Sequence, residues 1–246
     1  GPFDAAIVCL IVGFSLVGIF WKENYGSRTE DSGLIQNLQT AGTTLMSDSR
    51  MILLGIIVSS FEGAMFAFVF NWTPALESKE TPPPHGLIFS LFMMACMCGS
   101  SASTVLGSRL MPTIRLMAIF AMGIFAFAIA AGNGMSGHSS LLGVTFGAFL
   151  TFEFCVGAYF PTVGILKSDL VPERVRGTIY NIYRVPLNAV VVGLLLTNIS
   201  MVSCFNICAM LLTLALLAIV PIHTAGSICG ASLCPSKIDE ADPKHV

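Results

Sequence analysis

The chain has 246 residues, 54% of them apolar and 11% charged, with a formal charge of −2 and a mean hydropathy of +0.81. A water-soluble domain carries roughly 25% charged residues, so this composition excludes a secreted or ordinary cytosolic protein and leaves an integral membrane protein. The Lys and Arg residues are few and scattered, so no nucleic-acid partner is expected.

Seven apolar stretches are long enough to cross a bilayer at about 20 residues each. In chain order they cover 3–21, 51–75, 86–108, 112–132, 139–166, 177–199 and 202–222. These runs are continuously apolar rather than alternating, which excludes a transmembrane barrel and predicts an all-α integral membrane protein. The segment 1–21 lacks the basic leader and cleavage site of a secretory signal and reads as the last transmembrane helix of a half that precedes this sequence. Residues 22–50, rich in Ser, Thr, Asn, Gln and charge, read as a linker between bundles. The stretch 51–222 then forms one six-helix bundle with short connections, followed by a tail, 223–246.

Orientation follows from the basic residues, because basic loops stay cytoplasmic. Lys22, Arg28, Arg50, Arg109, Arg115, Lys167, Arg174, Arg176, Lys237 and Lys244 fall on one side of this arrangement and Lys79 alone on the other. The linker and tail are therefore expected in the cytoplasm, with 76–85 and 133–138 outside.

An ionisable residue within a span costs about 2.5–3.5 kcal/mol on insertion scales and by default faces a cavity or a partner. Glu62, Glu153 and Arg184 are the deep ones. Ser60-Phe61-Glu62-Gly63 and Thr151-Phe152-Glu153-Phe154 are alike and fall on the first and fourth helices of the bundle, the pattern of a three-plus-three inverted repeat with a site near the midplane. Glu62 and Glu153 are thus candidates for proton coupling, or for an ion pair with Arg184. On a helix Asn181, Arg184 and Asn188 share a face, lining two amides up with a permanent cation whose forked donors suit an oxyanion. Asn71 is a further hydrogen-bond candidate, while Trp72 and Tyr159 read equally as interfacial anchors. Gly143 and Gly147 have the spacing that lets helices approach closely. The cysteines show no metal or disulfide pattern and no phosphate-binding or dinucleotide loop is present; no catalytic residue, metal or cofactor is expected, and the chain does not read as an enzyme.

Two loops carry a family likeness. Gly107-Ser108-Arg109-Leu110-Met111-Pro112-Thr113-Ile114-Arg115 resembles, without its acidic residue, the Gly-x-x-x-Asp-Arg-x-Gly-Arg loop of the major facilitator superfamily, and Pro172-Glu173-Arg174-Val175-Arg176-Gly177-Thr178 resembles that superfamily's Pro-Glu-x-x-Arg-Gly motif. Together with a long linker before six helices, they make the chain similar to the C-terminal half of such a carrier plus one preceding helix. The run Phe61-Glu62-Gly63-Ala64-Met65-Phe66-Ala67-Phe68-Val69-Phe70-Asn71-Trp72-Thr73-Pro74-Ala75-Leu76, with Glu23-Asn24-Tyr25-Gly26 and Tyr180-Asn181-Ile182-Tyr183-Arg184-Val185-Pro186-Leu187-Asn188, resembles the eukaryotic molybdate-anion transporter family over most of 1–222. That resemblance implies secondary active uptake of molybdate across the cell membrane by a multi-pass protein that places substrate between two halves. On this reading Arg184 attracts the dianion, Asn181, Asn188 and Asn71 donate hydrogen bonds, and a proton on Glu62 or Glu153 relieves the repulsion between carboxylate and substrate. A carrier of sulfate or an organic anion, and a transport-inactive receptor or scaffold, are the alternatives.

Overall fold

The computed structural model describes residues 1–21, 34–77, 83–136, 142–197 and 199–231. The first part of the expected linker, 22–33, with Lys22 and Arg28, lies outside the described residues, as do Lys79 and the tail from 232 with Lys237 and Lys244. The described elements are α1 (Pro2–Phe20), α2 (Leu34–Ser47), α3 (Ser49–Leu76), α4 (His85–Gly107), α5 (Pro112–Ser136), α6 (Leu142–Leu170), a single 3-10 turn (Glu173–Val175), α7 (Arg176–Leu196) and α8 (Met201–Ala231). Seven of these helices are long and apolar enough to cross a membrane. The chain divides into two compact units, Gly1–Asn37 and Leu38–Val246.

In the first unit α1 is apolar on every face. Its one charged side chain, Asp4, sits in the first turn and meets the N-terminal amine, and the extended backbone of Trp21 ends the helix.

The expected linker contains a helix, α2, that has no charged residue. Leu38, Ala41 and Leu45 recur at helical spacing; Ala41 is buried and Leu45 packs against the core of the second unit. Asp48 then separates α2 from α3. Its extended backbone and its carboxylate, which accepts from the Arg50 backbone N–H at 2.9 Å, cap α3. The Arg50 guanidinium closes on the same carboxylate at 2.8 Å and holds it below its ordinary pKa.

The six long helices of the second unit pack with an internal symmetry. In the apolar stretches of α3 and α6, 61% of residues are buried, against 17% in both α4 and α7. The principal neighbours follow the same rule: α3 touches α6, α7 and α8, α6 touches α3, α4 and α5, and α5 touches α8. Exchanging α3, α4 and α5 for α6, α7 and α8 leaves that set unchanged. Glu62 and Glu153 therefore sit on corresponding, most enclosed helices.

Lipid tails are as apolar as leucine, so burial from water does not hold such helices together; close packing does. Aromatic rings seven residues apart, hence stacked on one face, fill the centre: Phe61 and Phe68 on α3, Phe120 and Phe127 on α5, Phe152 and Tyr159 on α6. Phe152 lies 4.4 Å from Phe127 and 5.1 Å from Phe68 between ring centroids, and Phe61 stacks on Tyr159 at 3.8 Å. Each such pair adds about 0.5–1.5 kcal/mol beyond its area. Tyr159, one of the expected interfacial candidates, is in this core with none of its surface exposed. Trp72 packs on Phe92 and His85 where α3 ends and α4 begins.

Glycines fix the α4–α6 contact. A Cβ at Gly157 would lie 1.8 Å from the Cys96 carbonyl oxygen, and one at Gly99 would lie 2.0 Å from that of Phe154, so the two backbones touch reciprocally. The expected close pair, Gly143 and Gly147, has open space around both positions and takes no part in close packing; spacing alone does not say which stripe of a helix meets a neighbour.

Candidate functional site

The site is built where α7 crosses α3. Ile179, Tyr183 and Leu187 form the buried stripe of α7. The Tyr183 ring covers Gly55, where a Cβ would sit 2.7 Å from the ring, its hydroxyl donates to the Met51 carbonyl at 2.7 Å, and its own carbonyl accepts from Ser59 Oγ at 2.9 Å. Successive helical residues turn by 100°, so the next stripe, Tyr180, Arg184 and Asn188, is rotated off α3, with Asn181 beside it. Arg184, Asn181 and Asn188 are all exposed.

Arg184 makes no hydrogen bond or ion pair with another described residue. The expected alternative, in which it pairs with Glu62 or Glu153, is therefore not formed. The cation at Glu62 is Lys167, whose Nζ lies 3.4 Å from the Glu62 carboxylate. The apolar run suggests that the fifth span ends at 166, which leaves Lys167 in a loop, but α6 continues to Leu170. Helical side chains tilt toward the N-terminus, so a lysine in the last turn of α6 reaches back into the bundle rather than out of it. Its ammonium also lies 5.3 Å from the centre of the Tyr180 ring, within cation–π range. A lysine in the first polar turn after a span containing a carboxylate on a neighbouring helix is the signal that could have revealed it.

Glu62 is one turn beyond Ser59, the residue that bonds Tyr183; Lys167 links Glu62 on α3 to Tyr180 on α7, and Arg184 follows Tyr180 by one turn. Tyr159 faces the same carboxylate from α6: its hydroxyl is fully buried beside Glu62 and makes no well-formed hydrogen bond.

The other candidates lie elsewhere. Glu153 is buried, with 7% of its surface exposed, one turn before Gly157 on the stripe of α6 that meets α4, and no described residue gives it a hydrogen bond or an ion pair. The Asn71 amide donates to the Ala67 carbonyl at 2.7 Å and to Cys204 Sγ at 3.3 Å, about 18 Å along α3 from Ser59, so it does not join the Arg184 stripe. Among the described residues no group of three or more His, Cys, Asp or Glu could hold a metal.

The two loop motifs have structural work of their own. Arg115, buried in the first turn of α5, donates from Nη1 to the Ser103 carbonyl at 3.0 Å, and Ser103 Oγ meets Thr162 Oγ1 at 2.8 Å, which clamps α4, α5 and α6 at one end. Pro172 precedes the 3-10 turn that opens α7, and Arg176 donates to the Val171 carbonyl at 3.4 Å.

Long apolar helices packed in a symmetric bundle give the chain the architecture of a multi-pass membrane protein. A family model described as sugar transporters with 12 transmembrane segments matches residues 1–157, and the chain belongs to this major facilitator family. It is 34% identical over 237 residues to a molybdate-anion transporter of Xenopus tropicalis, covering 91% of this chain and 50% of the relative. It is 33% identical to a protein of the same name from Danio rerio over 202 residues, covering 74% of this chain and 40% of the relative. The chain thus spans about half the length of the curated relatives it matches. No solved structure matches it.

Proposed function

We propose that the chain is the C-terminal part of a secondary transporter that carries molybdate into the cell across the cell membrane, completed by a preceding half that closes the substrate site. The observation that carries this reading is Arg184, a permanent cation deep in a span that no described carboxylate neutralises, with Asn181 and Asn188 on its face. An unpaired guanidinium at that depth is costly, and an oxyanion held by its planar fork repays the cost. A sugar has no charge to make that use of it. The names of the relatives supply molybdate as the particular oxyanion. We further propose that the Ser49 end of α3 and the Leu170 end of α6 face the cytoplasm.

Of the two acids, Glu62 has a cation beside it and Glu153 has none among the described residues; Glu153 is accordingly assigned the coupling proton. Uptake of isotopic molybdate by cells expressing the full-length protein tests the function. Saturable uptake, inhibited by unlabelled molybdate more strongly than by sulfate or small organic anions, is expected. Stronger inhibition by sulfate moves the substrate to another oxyanion, and uptake no greater than in control cells leaves a receptor or scaffold.

A further inference from the structure

We propose that Lys167 is a substrate-binding residue and that the Glu62 carboxylate is its built-in stand-in for the oxyanion, displaced when the anion arrives. The inference rests on the anion-carrier reading and adds to it a residue and a competition.

The ion pair has the properties of an exchangeable contact. At 3.4 Å it is longer than the roughly 2.7–2.9 Å at which a charge-assisted N–H···O bond settles. Its partners are 19% and 18% exposed, enclosed enough to feel each other and open enough for a small ion to reach. Each end has spare capacity. An ammonium has three N–H donors; one faces Glu62 and the Tyr180 ring covers another side. The buried Tyr159 hydroxyl beside Glu62 is a second donor without a well-made bond. Arg184 is one turn, about 5.4 Å, beyond Tyr180 on α7.

The charges involved are two cations, Lys167 beside the Tyr180 ring and Arg184 one turn along α7 from Tyr180, and one carboxylate, Glu62. Glu62 neutralises one cation while the site is empty. A dianion can satisfy both, which gives it an advantage over Glu62 that a monoanion lacks. Displacement also removes an ion pair between α3 and α6, while the aromatic contacts between those helices, Phe61 on Tyr159 and Phe68 on Phe152, stay in place.

The competition has a measurable sign. A ligand whose site is open in only a fraction of molecules binds more weakly by that fraction, so removing the competitor strengthens binding. In the full-length protein, Glu62→Gln should lower the KM for molybdate by about 3- to 10-fold. Lys167→Gln should raise it by more than about tenfold, and the double variant should behave like Lys167→Gln. If the pair serves only to lock helices, both single changes lower surface abundance, the double change restores it, and KM per surface copy is unmoved. That pattern overturns the proposal, as does a KM for Glu62→Gln equal to or above that of the parent.

A second readout does not depend on transport. Modification of the Lys167 amine by a small acylating reagent, followed by mass spectrometry of the purified full-length protein, should be slowed by molybdate. In Glu62→Gln the protection should appear at lower molybdate. Protection by sulfate but not by molybdate leaves Lys167 as the anion site and removes molybdate as the substrate. Molybdate uptake without protection of Lys167 removes this proposal and leaves the transporter standing; no uptake and no protection by either oxyanion removes both.

Discussion

Glu62 and Glu153 are alike in local sequence and unlike in surroundings, and the difference decides what each can do. Glu62 meets Lys167 and lies beside the Tyr159 hydroxyl, whereas Glu153 is packed against α4 with no counter-charge among the described residues. Replacing Glu153 by Gln keeps the shape and the protonated form's hydrogen-bonding groups. If Glu153 carries the coupling proton, Glu153→Gln should flatten the dependence of molybdate uptake on external pH while exchange of bound for free anion continues, and Glu62→Gln should leave a sloping profile. Uptake measured from pH 5.5 to 8 in both variants checks this; an unchanged profile in Glu153→Gln removes the residue from coupling. The depth of all three ionisable residues is legible from their distance to the span ends. Their pairing is not, because it depends on the rotation of each helix about its own axis: Arg184 is only 100° from Tyr183, yet that turn takes it off α3 and leaves Glu62 to a lysine on another helix.

Among the helices, α4 and α6 show how a single missing side chain sets an element's position. Gly157→Ala would place a methyl 1.8 Å from the Cys96 carbonyl, which only a backbone shift can relieve, at about 1–3 kcal/mol or more for overpacking. Reduced surface abundance and an earlier thermal transition are expected, whereas Gly143→Ala, with nothing within 4 Å, should behave as the parent. A fluorescence-detected size-exclusion trace of each variant after heating distinguishes them; equal stability would mean that α4 and α6 do not touch through this face. Continuous apolar runs reveal the spans themselves to within a few residues, since α3, α4 and α5 begin within about two residues of the expected positions. The helix α2 escapes notice because it carries Gln, Asn, Thr and Gly in place of an apolar run, and one buried alanine does not announce itself. The end of α6 is misjudged for the opposite reason: a lysine reads as the start of a loop when it is the last turn of a helix reaching inward.

At the scale of the molecule, the symmetric pairing of α3, α4 and α5 with α6, α7 and α8 places the least covered helices, α4 and α7, at equivalent positions, and α7 carries the polar stripe. A face bearing two asparagines and an arginine that no described residue pairs is poorly suited to lipid, and the preceding half proposed above would cover it. The central claim is that an oxyanion passes over Arg184. Uptake of molybdate per surface copy should be compared for the full-length protein and its Arg184→Lys and Arg184→Gln forms, with abundance measured by surface biotinylation. Lysine keeps the charge and loses the fork that holds two oxygens, so uptake is expected to fall about tenfold or more with Lys and to vanish with Gln, while each variant reaches the surface at near-parental abundance. Parental uptake by Arg184→Gln at equal abundance would contradict the account.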